Sequence, residues 1–165
     1  MVIVRKPVAR LSETALEQFV VRACRVVKLK GNVNVMVTSS RELRSLNRQF
    51  RGKDQATDVL SFPPISAWSS GQAGDVAISA DIASKNARVL GHSPANEVKI
   101  LALHGVLHLA GYDHEHDSGE MARKEDKLRR LLGLPVGLIE RNSMNPKSPV
   151  KSARSRSGGS STRKR

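Results

Sequence analysis

Three of the chain's five histidines fall in one stretch, HGVLHLAGYDH, residues 104 to 114. On an α-helix His104 and His108 stand about 40° apart around the axis and about 6 Å apart along it, where two imidazoles can converge on one ion. Gly111 offers the left-handed conformation that ends many helices, and a turn there brings His114 back toward the same face. Three neutral imidazoles suit Zn²⁺ and leave a fourth position for water, the ligand count of a catalytic site rather than a closed structural one. An isolated pair of histidines four apart is a weak signal. Here Val98, Ile100, Leu101, Leu103, Val106, Leu107 and Leu109 distribute apolar side chains around the helix, so it is predicted to be buried on several sides, where an ionisable group needs a partner.

Several elements must position that helix. Val2 and Val4 predict a short strand stopped near Pro7. Ser12 caps a helix to about Leu29, with Leu11 and Leu16 as a hydrophobic staple and Leu16, Phe19, Val20, Ala23 and Val27 on one face. Cys24 is then a core or half-buried thiol. Val33, Val35 and Val37 alternate with polar or flexible neighbours as a strand. Ser39 and Glu42 form a capping-box pattern for a short helix carrying Leu43, Leu46 and Phe50. Gly52 and Asp54 mark a turn before a strand at Val59, Leu60 and Phe62, which Pro63 and Pro64 halt.

Residues 63 to 74 show no apolar period and predict a surface loop, with Trp68 as its anchor. A strand resumes at Asp75 to Ser79, followed by a helix over 81 to 90 that ends at Gly91. Ser93 and Pro94 open the histidine helix as cap and first turn. Asp117 and Glu120 read as another capping box, for a helix with Met121, Leu128, Leu131 and Leu132 that Gly133 and Pro135 close. From Pro146 the chain has seven basic residues, no acid and almost no apolar residue, which predicts a disordered basic tail.

With 165 residues and 39% hydrophobic content, the body fits one globular domain. The formal charge is +13, of which the tail supplies just over half, and this favours an anionic partner such as nucleic acid. One cysteine excludes an intramolecular disulfide and a Cys-rich zinc site, in keeping with a reducing compartment. No apolar run reaches the length of a membrane span and no secretory signal opens the chain, so the expectation is a cytoplasmic protein without membrane attachment.

HGVLHLAGYDH, with LNRQFRGKDQATDVLSFP and GDVAIS before it, resembles the YbeY family of bacterial endoribonucleases, the rRNA maturation factors. The likeness covers roughly residues 2 to 142. Its histidine motif, with Gly-Tyr-Asp before the last histidine, is far more specific than the bare pair. The resemblance implies that His104, His108 and His114 bind one zinc ion per chain, and that the family's functionally important arginine falls on Arg51. It also implies an α+β fold, a mixed sheet packed against helices around a central metal-binding helix. The implied activity is metal-dependent cleavage of single-stranded RNA in ribosome biogenesis, notably at the 3′ end of small-subunit (16S) rRNA, with ribosomal RNA and subunits as partners. The organisation expected is a catalytic domain over 1–142 and a tail over 143–165. Two features depart from the family: Ala56 stands where the family usually has proline, and the tail lies outside the family core.

Phosphodiester cleavage needs a nucleophile and relief of developing negative charge; a three-histidine metal can serve both, and Arg51 could hold a non-bridging oxygen with its planar fork. Without the resemblance, an arginine in a Gly-Lys-Asp turn reads as a solvated charge. Asp113 and Glu115, beside the third histidine, could orient an imidazole, shuttle a proton, or simply cap local backbone. A metalloprotease is disfavoured because its general base would follow the first histidine, where this chain has Gly105. A non-catalytic RNA-binding assembly factor with a structural metal would fit the same residues, as would a metal-dependent hydrolase of another substrate. With one Trp, one Tyr and three Phe, the chain lacks an extended base-stacking platform.

Overall fold

The computed structural model describes residues 1–65 and 71–135; the expectations for Trp68 and for the tail over 143–165 lie outside the described residues. In chain order the elements are β1 (Val2–Val4), α1 (Glu13–Val27), β2 (Asn32–Thr38), α2 (Ser40–Arg51), β3 (Val59–Phe62), β4 (Gln72–Ser79), α3 (Ala80–Leu90), α4 (Pro94–Leu109) and α5 (Glu120–Leu132). The sheet runs β1-β2-β4-β3, parallel except for β3, which pairs antiparallel with β4 at one edge. This is the α+β fold with a mixed sheet that the family resemblance implied.

Alternation along the strands divides the apolar residues between two faces. Val33, Val35, Val37, Val76 and Ile78 point into the main core with α1, α3 and α4, where Leu16, Val98, Leu101 and Leu103 are fully enclosed. Leu60 and Ala77 point the other way, beneath Leu43 of α2, with Met36, Leu46 and Phe62 alongside. Four serine caps hold the helix starts: Ser12, Ser39, Ser79 and Ser93 accept from the N–H of Ala15, Glu42, Ile82 and Asn96 at 3.1 to 3.2 Å. Each satisfies an amide that the first helical turn leaves without a partner. Cys24 is buried in α1, and that burial pushes its thiol up, away from reactivity.

Three local expectations need correction. Glu42 does not close a capping box, because its carboxylate accepts from Arg5 at 2.7 Å and from the Thr38 hydroxyl instead; a charged partner outcompetes a backbone amide. The cap of α5 is Gly119, not Asp117. Asp117 still serves that end, accepting from the N–H of Gly119 and of Met121 at 2.7 Å each. The strand expected at Asp75 begins three residues earlier, at Gln72, where backbone pairing with β2 through a register shift at Asn32 and Val33 substitutes for the missing apolar alternation.

Candidate metal centre

Helix α4 is the most deeply buried of the helices described, with eleven of its sixteen residues buried. Its start is fixed by Pro94 in the first turn and by a buried contact, His92 Nε2 to Glu97 Oε2 at 2.5 Å. One face lies so close to the sheet that a Cβ on Gly105 would stand 2.7 Å from Val76 Cγ1 and 3.1 Å from Ser61 Oγ. The same approach lets the Ser61 hydroxyl donate to the Gly105 carbonyl at 3.2 Å. Position 105 therefore faces the sheet, and a glutamate there would not fit.

At the other end of α4 the turn forms as its residues predict. Gly111 takes φ +91°, and the N–H of Tyr112 returns to the Leu107 carbonyl at 3.1 Å. The reversal carries His114 back over the helix end. His104 is buried, His108 half-buried and His114 exposed. Their ring centroids lie 4.7 Å (His104–His108), 5.3 Å (His104–His114) and 5.3 Å (His108–His114) apart. One nitrogen from each falls within 4.8 Å of the others.

This donor set fits a divalent ion. The Nε2 atoms of His104 and His108 are 3.1 Å apart, and two nitrogens bound tetrahedrally at about 2.05 Å would stand about 3.3 Å apart. Burial, followed by the charges of His104 and His114, holds the His108 pKa below the usual imidazole range, favouring the neutral form that can donate a lone pair.

A residue that the sequence patterns do not single out completes the arrangement. Glu125 of α5, buried, places Oε2 3.0 Å from His104 Nδ1, and its other oxygen pairs with the buried Arg129 one turn on. Burial pushes the Glu125 carboxyl up, but the His104 hydrogen bond and the Arg129 charge outweigh it and hold the group below the usual glutamate range. With the carboxylate on Nδ1, the His104 ring presents Nε2 to the site, the pairing found behind many metal-ligating histidines. A signal does exist: Glu125 sits four residues after Met121 and three before Leu128, inside the apolar stripe of α5, where a glutamate needs a partner. We expect Glu125→Gln, which keeps the shape and removes the charge, to weaken divalent-metal affinity by about 10- to 100-fold in competition titrations of the folded protein; unaltered affinity would contradict the orienting role.

Asp113 and Glu115 do not orient an imidazole of the cluster. Asp113 accepts from the N–H of Glu115 at 3.0 Å and pairs with His116 Nδ1 at 2.6 Å, a contact that holds its carboxyl below the usual range. Arg51, in the last turn of α2, is exposed and donates from Nη2 to the Ser61 carbonyl at 3.3 Å. The structure brings it to the same open pocket as the histidines. That pocket, of about 550 Å³, is lined by Arg51, Ser61, Pro63, His104, His108 and His114 among others.

Fold and site together define an α+β domain able to hold one metal ion through histidines at the end of a buried helix, in an open pocket that Arg51 also lines. The family model described as Endoribonuclease YbeY matches residues 4–133. A relative named Endoribonuclease YbeY from Koribacter versatilis is 55% identical over 151 residues, covering 92% of this chain and 97% of its own length. Another of that name from Solibacter usitatus is 49% identical over 138 residues, covering 83% and 90%. The solution structure of TM1509 from Thermotoga maritima superposes with a TM-score of 0.52 at 29% identity, covering 92% of this chain and 99% of that one. The chain belongs to the YbeY family of endoribonucleases, hydrolases that act on RNA.

Proposed function

We propose that this chain cleaves single-stranded RNA at a zinc site formed by His104, His108 and His114, with Arg51 as the residue that grips the reacting phosphate. The observation that carries the reading is the convergence of three imidazole nitrogens within 4.8 Å in an open pocket that Arg51 also lines. A zinc ion held there would supply Lewis-acid polarisation of the phosphoryl group and lower the pKa of a nearby water. The protein's own groups do the rest. Glu125 fixes the ring of His104, the apolar residues around α4 hold its end rigid, and the Arg51 guanidinium forms charge-assisted hydrogen bonds to non-bridging phosphate oxygens. A three-imidazole donor set favours zinc over magnesium or calcium, which prefer oxygen.

The substrate in the cell is ribosomal RNA, and the step is maturation of the 3′ end of small-subunit (16S) rRNA in the cytoplasm; among the described residues no helix is long and apolar enough to cross a membrane. The likeness to the YbeY family and the net charge of +13 support this reading. Cells depleted of the protein should accumulate 3′-extended small-subunit precursor, rescued by the wild type and not by His108→Ala. Normal precursor processing after depletion would refute the assignment.

Residues 1–142 would form the catalytic domain and 143–165 a sequence-independent RNA-gripping arm. Each neutralised phosphate of a single strand contributes about −0.7 to the slope of log K against log salt, so about five engaged tail charges contribute about −3.5. A chain ending at Asn145 should show that flatter dependence and weaker binding to unrelated RNAs alike, with folding and metal content unchanged. Coincident salt dependences would show that the tail does not grip RNA.

A further inference from the structure

Phe50 is expected from its spacing to share the packed face of α2 with Leu43 and Leu46, yet it is 59% exposed while Leu43 is fully buried. Its ring meets Phe62 edge to face, with centroids 5.3 Å apart. Two of the chain's three phenylalanines are thus gathered at one place on a molecule otherwise poor in aromatics. That place is a second groove, of about 670 Å³, on the sheet face that α2 leaves uncovered; Met36, Leu46, Phe50, Phe62 and Pro63 line it.

The groove adjoins the metal pocket at the edge strand β3. Ser61 and Phe62, successive residues of the edge strand β3, point to opposite faces: Ser61 toward α4, where it bonds Gly105, and Phe62 toward the groove. Pro63, at the strand's end, lines both cavities. Arg51 lines the metal pocket and Phe50 the groove. The Arg51 guanidinium meets the Ser61 carbonyl and the Phe50 ring meets that of Phe62, so cation and ring stand over successive residues of β3. Asn34 and Asp75 also line the groove, and the Asn34 amide donates to the Asp75 carboxylate at 2.8 Å, so hydrogen-bonding groups are present for a base edge.

We propose that this groove is a nucleobase subsite, in which Phe50, backed by Phe62, stacks an unpaired base adjacent to the phosphate that Arg51 holds. The inference rests on the RNA-cleaving reading above and adds to it a structural source of single-strand preference: a base locked in a duplex cannot leave its neighbours to enter the groove. A flat apolar surface would equally suit a second copy of the chain. The border shared with the pocket that Arg51 lines favours the strand, because a base delivered there leaves its own phosphates beside Arg51.

The test uses single-stranded oligonucleotides carrying 2-aminopurine at successive positions around the cut, with full-length wild type, Phe50→Ala, Phe50→Leu and Phe50→Tyr. Wild type and Phe50→Tyr should quench the fluorophore at one position; Phe50→Ala and Phe50→Leu should not. For the last two, KM should rise about 5- to 150-fold, the range set by loss of one stacked base, with kcat and metal content little changed. Leucine restores apolar packing without a π-face, so a wild-type KM in Phe50→Leu would overturn the proposal in favour of mere packing. Unchanged KM in all variants, or loss of self-association in Phe50→Ala without change in RNA binding, would also overturn it. Quenching by a wild type that cuts no RNA would uphold the subsite while refuting the nuclease reading.

Discussion

Replacing His108 by alanine is expected to reduce bound metal from close to one ion per chain to a small fraction, and RNA cleavage by about a thousandfold or more. His108 and His104 hold nitrogens 3.1 Å apart at the rigid end of α4, whereas His114 reaches the site from an exposed turn. Losing His108 leaves one helix-borne donor and one donor on a loop, too few for a tetrahedral ion to be held against water. Several kcal/mol of charge stabilisation go with the ion, at about 1.4 kcal/mol per tenfold in rate. The fold should survive, since the core under α4 consists of Val98, Leu101, Leu103 and Val106, not of the imidazoles. Metal content by elemental analysis together with single-turnover cleavage decides the matter; a variant that keeps the wild-type metal complement would refute the three-ligand site.

Arg51→Ala should slow cleavage by about 10²- to 10³-fold, the usual cost of removing one positioned donor to developing charge. Metal content and melting temperature should remain close to wild type. Arg51 is exposed, and its hydrogen bond to the Ser61 carbonyl spans 3.3 Å at the surface, so its removal costs the fold little. Arg51→Lys should recover only part of the rate, because an ammonium keeps the charge and loses the fork. A marked fall in melting temperature with unaltered cleavage per folded molecule would instead assign Arg51 to the support of β3.

What is legible in the amino-acid sequence follows from local periodicity. The spacing of His104 and His108, the stop at Gly111 and the return to His114 all lie within one helix end, where 3.6 residues per turn and a left-handed glycine determine the geometry. The caps at Ser12, Ser39 and Ser93 and the alternating valines of β2 are legible for the same reason. The pairing of Glu125 with His104 is not, because the two lie 21 residues apart, and only the packing of α5 on α4 brings them together. The capping-box patterns at Ser39 and Asp117 mislead for a related reason: Arg5 and Thr38 reach Glu42 from outside α2, and Gly119 enters α5 two residues late. Phe50 shows the converse limit. Its period along α2 is that of a packed residue, but the ring stands at the edge of a groove that α2 leaves open.

The central claim, that a histidine-held metal makes this chain an RNA hydrolase, is tested most directly by removing and restoring the ion. Purified protein is treated with a chelator, freed of it, and assayed on single-stranded RNA with stepwise addition of Zn²⁺ and, separately, of Mn²⁺ and Mg²⁺. Cleavage should vanish in the metal-free protein and return in the wild type as the first equivalent of Zn²⁺ binds, with no recovery in His108→Ala. Metal-free protein, verified by elemental analysis, that still cuts RNA at the original rate would contradict the account.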